Sequence, residues 1–262
     1  MRESHLEVTR PEPGVVLVTL ANPEQRNAMS GPMTDAWLAT MRDLAGDREV
    51  RCVVVTGEGS AFCSGGDTSW IAAEPEATVE ELRARMLPFY RTWLSVLELD
   101  VPTLAAVNGP AIGAGLCLAL ACDLRFAAVE ARLGAPFVRL GMHPGMGATW
   151  LLPDVVGAAH ARDLLLTGRT VDADEALRIG LVSRVVPGER LLDEALAAAS
   201  AIAATAPVPS RLTTRALRAG HADLETALQW EALAQPVTLA TEDLREGLDA
   251  ARGRRQPRFA GR

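Results

Sequence analysis

Hydrophobic and polar positions along the chain set out a succession of short buried strands and amphipathic helices. Residues 15–20 alternate as a strand, and 22–26 is polar around Pro23, which makes it a turn. Ser30 stands where a helix N-cap belongs, with Pro32 just inside. Met33, Trp37, Met41 and Leu44 then recur on one helical face. The β-branched run 53–55 suits a strand buried within a parallel sheet. A glycine-rich loop at 57–66 follows, and 78–99 reads as helix. The same order repeats at once, with strand 104–107, glycine turn 108–115 and helix 116–122. Strands are expected again at 124–127 and 184–186. Beyond Pro187 the pattern is purely helical. Leu191, Leu192, Ala195, Leu196, Ala199 and Ile202 share one face, and helices are expected over 210–219, 224–234 and 242–252. The repeat is one of structure, without the fixed sequence period of a solenoid. These patterns predict an α/β core over residues 1–195 and a helical region over 196–262, with a soft boundary near residue 195.

Composition narrows what such a fold can do. The chain has 262 residues, 48% of them hydrophobic, which is enough to bury a substantial core. Its net charge of −7 argues against general nucleic-acid binding and requires an anionic ligand to meet local positive charge. All 26 basic residues are arginine. The absence of lysine excludes a lysine Schiff base, a lysine nucleophile and a Walker-type phosphate lysine. Cys52, Cys63, Cys117 and Cys122 form no C-x-x-C pair and read as buried free thiols in a reducing cytosol, so no metal site is expected. The first residues lack the apolar core of a signal peptide. The apolar run 103–121 is interrupted by Asn108-Gly109-Pro110 and closed by Cys122-Asp123-Leu124-Arg125, which fits two short buried elements better than a membrane span. A cytoplasmic protein without membrane or nucleic-acid partners is the expectation.

The two glycine loops carry the candidate chemistry. Gly57-Glu58-Gly59-Ser60-Ala61-Phe62-Cys63-Ser64-Gly65-Gly66-Asp67 and Asn108-Gly109-Pro110-Ala111-Ile112-Gly113-Ala114-Gly115 each lie between a strand and a helix. Small residues admit close approach to the backbone, and a helix start leaves N–H groups unpaired. A dinucleotide fingerprint is not met, because Gly109, Gly113 and Gly115 have the wrong spacing. Two such loops in successive units can aim two N–H groups at one point, as stabilising an oxyanion on a carbonyl substrate requires.

These residues resemble the crotonase superfamily, the enoyl-CoA hydratase/isomerase family. Ala61-Phe62-Cys63-Ser64-Gly65-Gly66-Asp67 is similar to its first oxyanion loop, and Asn108 to Gly115, leading to Ala121-Cys122-Asp123-Leu124, to its second. Asn22-Pro23 with Arg26-Asn27-Ala28-Met29 resembles the loop on the CoA side. Leu166-Thr167-Gly168 and Ala176-Leu177-Arg178-Ile179-Gly180-Leu181-Val182 match the later part. The resemblance implies a crotonase-like α/β spiral of repeated ββα units with a C-terminal helical trimerisation region. It also implies a homotrimer or hexamer, and an acyl-CoA thioester ligand whose coenzyme A belongs to the substrate, with no separate cofactor. By position, the backbone N–H groups of Gly66 and Ala114 would form the oxyanion hole. Arg26, Ala28, Ser64, Gly66, Asp67, Thr68, Ser69, Ala114, Cys117 and Phe137 would line the substrate. Arg252, Arg254, Arg255, Arg258 and Arg262 around Phe259 would either approach the CoA nucleotide or form a solvated tail.

The chain departs from the pattern where the family's acids and bases stand. The two hydratase glutamate positions hold Cys117 and Phe137, and the isomerase aspartate position holds Gly145. His143, whose imidazole can both give and accept a proton, is the candidate proton-transfer group, its other reading being a structural hydrogen bond. Cys117 reads as a small buried thiol rather than a nucleophile. Asp67 and Asp123 are expected to brace their loops, while the resemblance implies that Glu74, Glu76, Glu80 and Glu81 lie on a stretch that could swing inward. Two functions follow: an acyl-CoA enzyme stabilising a thioester enolate, or a non-catalytic acyl-CoA binder or carrier.

Overall fold

A computed structural model describes residues 4–67 and 76–262. Among these residues six strands form one sheet in the order β1 (Leu6–Glu12), β2 (Val15–Leu20), β3 (Cys52–Gly57), β4 (Thr103–Val107), β6 (Leu124–Ala128) and β9 (Arg184–Val186). Only the β1–β2 pair is antiparallel; every later pair is parallel. A second, three-stranded sheet joins β5 (Ala111–Ile112), β7 (Arg132–Gly134) and β8 (Thr170–Asp172).

The large sheet is covered on both sides, which is why its strands read as continuous apolar runs. Alternate residues point to opposite faces. Val16, Val18, Val53, Val55, Ala105 and Val107 enter the larger core cluster. Val15, Cys52, Val54, Leu104, Ala106 and Phe126 enter a second, closed by helix α6 (Gly188–Ala203). On the first face lies helix α1 (Gly31–Gly46), capped by the Ser30 side chain, with Met33, Trp37, Met41 and Leu44 all buried as its periodicity predicts. Helix α2 (Val79–Leu94) packs on it, stacking Trp93 against Trp37 with ring centroids 5.0 Å apart.

Some elements differ from expectation. The strand Leu6–Glu12 was not foreseen; it carries Pro11, which a sheet edge tolerates. The helix expected over 78–99 ends at Leu94, and Ser95–Glu98 continues as a 3-10 turn. Helix α3 (Ala114–Ala121) begins two residues before the expected start, so that Ala114 opens it. Helix α4 (Ala148–Thr167) had no counterpart in the sequence reading. Pro153 and a non-helical Gly157 (φ 74°, ψ 163°) break its periodicity. Strands β7 and β8 and helix α5 (Ala173–Arg178) were too short to stand out.

Helix α6 passes through residue 195 and buries Leu191, Ala195, Ala199 and Ala203, whereas Leu192 is exposed rather than on the shared face. Helices α7 (Pro207–Ala219), α8 (Leu224–Leu239) and α9 (Glu242–Gly253) complete the helical C-terminal region. Arg218 of α7 reaches back to the sheet. Its guanidinium donates to both carboxylate oxygens of Asp123 at 2.7 and 2.6 Å and to the carbonyls of Leu97 and Val101 at 3.0 and 3.1 Å. Asp123 in turn accepts from the Thr103 backbone at 2.6 Å and its hydroxyl at 2.9 Å. The start of β4 and the end of α3 are thereby locked together, bracing the strand-loop-helix unit between them.

Candidate active site

Two asparagine side chains shape the first glycine loop. Asn27 is fully buried with a left-handed backbone (φ 55°). Its amide donates to the carbonyls of Glu58 at 3.0 Å and Ala61 at 2.8 Å, while its oxygen accepts from the Asn22 N–H at 2.9 Å. Asn108, from the second loop, donates to Gly59 at 3.0 Å and accepts from the Gly57 N–H at 3.1 Å. The loops then pair directly: Phe62 and Cys63 N–H donate to Pro110 at 3.1 Å, and Ile112 N–H donates to Cys63 at 2.9 Å. So close an approach excludes a side chain at Gly115, where a Cβ would overlap the Cys63 carbonyl. Gly65 has φ +98°, a conformation that other residues adopt only under strain.

This pairing leaves two donors unused. Met29 N–H donates to the Gly65 carbonyl at 2.8 Å, and a bridge sets Met29 beside Gly66. Among the described residues the Gly66 N–H itself meets no acceptor. Ala114 is the first residue of α3, so its N–H has no partner within the helix and sits at the positive end of the helix dipole. Gly66 and Ala114 both line one cavity of ≈ 110 Å³. Met86, Phe89 and Tyr90 of α2, with Phe137, Leu140, Met142 and Met146, give that cavity a largely apolar wall.

The expected site residues divide into three groups. Ser64, Gly66, Ala114, Phe137 and His143 converge on the cavity. Arg26 and Ala28 stand behind it: the Arg26 carbonyl accepts from Ser64 N–H at 3.0 Å, and Ala28 N–H closes the turn onto Gln25. Asp67 follows Gly66 directly. Thr68 and Ser69 lie outside the described residues, as does Glu74. Cys117 is sealed beneath the wall, fully buried, with its Sγ 3.6 Å from the Gly145 carbonyl. Burial pushes its pKa up to about 12, so it is a thiol and neither a base nor a ready nucleophile.

Several of the other proposed charges are paired. Glu81 closes the capping box with Thr78 at the start of α2, and exposed Glu80 faces Arg83. The tail arginines are largely paired on α9: Arg255 with Glu246 at 2.6 Å, Arg262 with Glu242 at 2.9 Å and Arg252 with Asp249 at 3.4 Å.

No carboxylate lines the cavity among the described residues. The groups with exchangeable protons are Ser64, His143 and one that sequence reasoning missed, Tyr90. The Ser64 hydroxyl donates to the Gln25 carbonyl at 3.2 Å. His143 is exposed, and its Nδ1 lies 2.7 Å from the Pro144 carbonyl. Since a carbonyl only accepts, Nδ1 carries hydrogen and Nε2 keeps its lone pair when the ring is neutral. Burial raises the pKa of Tyr90, which keeps the phenol protonated at neutral pH. The one signal in the sequence was that Tyr90 is the only tyrosine in the chain. Among the described residues no His/Cys/Asp/Glu cluster could hold a metal ion, and no single helix is long and apolar enough to cross a membrane.

Known proteins match this chain over nearly its whole length. The enoyl-CoA hydratase/isomerase family profile matches residues 10–262. A provisionally named enoyl-CoA hydratase of Thermus thermophilus is 42% identical over 246 residues, covering 94% of this chain and 97% of that protein. The crystal structure of an enoyl-CoA hydratase from Bacillus anthracis superposes with a TM-score of 0.93 at 35% identity, over 98% of this chain and 100% of that one. A probable enoyl-CoA hydratase/isomerase from Mycobacterium abscessus gives a TM-score of 0.89 at 39% identity, over 99% and 100%. With its two paired glycine loops, parallel sheet and helical C-terminal region, the chain belongs to the enoyl-CoA hydratase/isomerase family of the crotonase superfamily.

Proposed function

We propose that this protein is an acyl-CoA enzyme that stabilises a thioester enolate on the backbone N–H groups of Gly66 and Ala114. One observation carries the reading: two residues whose N–H groups find no acceptor among the described residues line a single apolar cavity. Charge that develops on a thioester oxygen there meets fixed donors, which need no reorganisation as the reaction proceeds. The apolar wall keeps water from weakening that interaction. Phe137 stands where an acyl chain would lie, and Arg26, Ala28 and Asp67, with Thr68 and Ser69, would flank the coenzyme A portion. Coenzyme A is part of the substrate, so no further cofactor is required.

With Cys117 and Phe137 at the glutamate positions, ordinary hydration of enoyl-CoA is not the expected reaction. The absence of a carboxylate from the cavity wall among the described residues also favours a second reading, a non-catalytic acyl-CoA binder. Calorimetric titration with acetyl-CoA tests what both readings share. Gly66→Pro removes one N–H and distorts the loop, so it should bind clearly more weakly; unchanged affinity would remove Gly66 from the site. Exchange of the acetyl α-protons in D2O separates the two readings, because only an enolate-stabilising site accelerates it.

The protein is further proposed to assemble as a trimer, or a hexamer of two. Leu224, Leu228, Leu233, Val237 and Leu239 of α8 are exposed, which is costly unless a second copy covers them. Light scattering that finds a monomer in dilute buffer refutes this. The four buried free thiols suit a reducing, cytoplasmic setting.

A further inference from the structure

Helix α2 brings Tyr90 into the wall of the cavity that the glycine loops also line, beside Phe89 and one turn after Met86. The ring is held edge-on against Phe89, with centroids 6.2 Å apart. A Cβ placed on Gly145 would stand 2.9 Å from the Tyr90 Cζ and closer still to its hydroxyl oxygen. The phenol therefore occupies the space that a side chain at position 145 would need. Gly145 and Tyr90 are steric complements, one vacating what the other fills. Among the described residues the hydroxyl has no hydrogen-bond partner, although it borders the same cavity as Gly66 and Ala114.

Ser64 is engaged on Gln25 and Cys117 is sealed below the wall, whereas His143 commits only Nδ1, to Pro144, and keeps Nε2 as the rival base. We infer that Tyr90 exchanges the proton on the α-carbon of the bound acyl group. This rests on the enolate-stabilising reading above and supplies the acid that reading lacks. The phenol O–H breaks as a Cα–H bond forms, and the enolate electron pair becomes that bond. The tyrosinate left behind takes a proton from water entering at the cavity mouth. In reverse, tyrosinate removes the α-proton while the electron pair moves onto the thioester oxygen, held by the two backbone donors.

The test is proton NMR of acetyl-CoA with the full-length protein in D2O. The unmodified protein should accelerate loss of the acetyl signal. Its rate should climb about tenfold per pH unit from neutrality towards about pH 9, as a tyrosinate base requires. A histidine base would instead level off near about pH 6.5. Tyr90→Phe keeps the ring and should slow exchange at least about 10²-fold while binding acetyl-CoA with unchanged affinity. Exchange abolished by His143→Ala but kept by Tyr90→Phe would overturn the assignment. If the unmodified protein binds acetyl-CoA without exchanging it, the enolate reading falls and the role of Tyr90 with it. If exchange is accelerated but survives in Tyr90→Phe, only the tyrosine assignment is overturned. Should Tyr90→Phe fail to fold, Gly145→Ala decides: its Cβ displaces the hydroxyl, and exchange at the unmodified rate overturns the assignment.

Discussion

Adjacent glycines in the first loop should respond oppositely to the same one-carbon change. A Cβ on Gly65 would lie 2.8 Å from the Ile112 carbonyl and 3.3 Å from the Ala114 nitrogen, on a backbone with φ +98°. A Cβ on Gly66 would meet nothing within 4 Å, and its φ is ordinary. For Gly65→Ala the backbone strain alone costs about 1–3 kcal/mol. Relief must come from moving the Ile112–Ala114 segment, because the glycine loop is clamped behind by Asn27 and Asn108. That segment carries the Ala114 donor, and losing one such donor typically costs about 10²–10³-fold in rate. Gly65→Ala should therefore slow α-proton exchange of acetyl-CoA by at least about 10²-fold and lower unfolding free energy in urea by about 2 kcal/mol. Gly66→Ala keeps its N–H and should leave both near the unmodified values. The geometry is refuted if Gly65→Ala exchanges normally, or if Gly66→Ala is equally damaged.

Hydration of crotonyl-CoA, followed by loss of its enoyl absorbance, should run far below an ordinary enzymatic rate of about 10 s⁻¹, since each missing acid or base is worth about 10²–10⁴-fold. Turnover at that ordinary rate would sink this expectation. Phe137→Glu places a carboxylate on the cavity wall and should raise hydration, whereas Cys117→Glu buries a charge and should chiefly destabilise the fold. Arg218→Ala removes the guanidinium partner of Asp123 and of the Leu97, Leu99 and Val101 carbonyls, so it should cost about 3 kcal/mol in urea unfolding at fixed protein concentration, against under about 1 kcal/mol for Arg10→Ala at the exposed Arg10–Asp47 pair. A loss for Arg218→Ala no larger than that for Arg10→Ala would contradict the bracing role. Burial raises Cys52, Cys63, Cys117 and Cys122 from 9.0 to about 12, so the folded state holds these protons more tightly than the unfolded chain. That stability is complete below about pH 9 and is lost as pH rises towards 12, by up to about 1.4 kcal/mol per thiol for each pH unit. Urea midpoints that stay level from pH 8 to 11 would show the thiols to be accessible.

What the sequence disclosed, and what it hid, follows from the range of the interactions involved. The glycine loops were legible because their requirements are local: a left-handed Gly65, a backbone contact at Gly115 and an unpaired helix start at Ala114 are each written in a few consecutive residues. Even so, the helix start was misplaced by two positions, and that shift is what makes the Ala114 N–H an unpaired first-turn helix donor rather than a loop amide. Helix α4 escaped notice because Gly157 resets its periodicity midway. The part of the cavity wall that α2 supplies was hidden for another reason. Met86, Phe89, Tyr90 and Trp93 recur at i, i+3, i+4 and i+7, a spacing that predicts one buried face and cannot say what that face meets. In the fold the face is divided: Trp93 is fully buried against Trp37, while Met86, Phe89 and Tyr90 extend past the core onto the cavity. A tyrosine at the core end would need a buried partner for its hydroxyl. At the cavity end the same residue leaves that hydroxyl free for a ligand, so position along a single apolar stripe decides whether the residue packs or reacts.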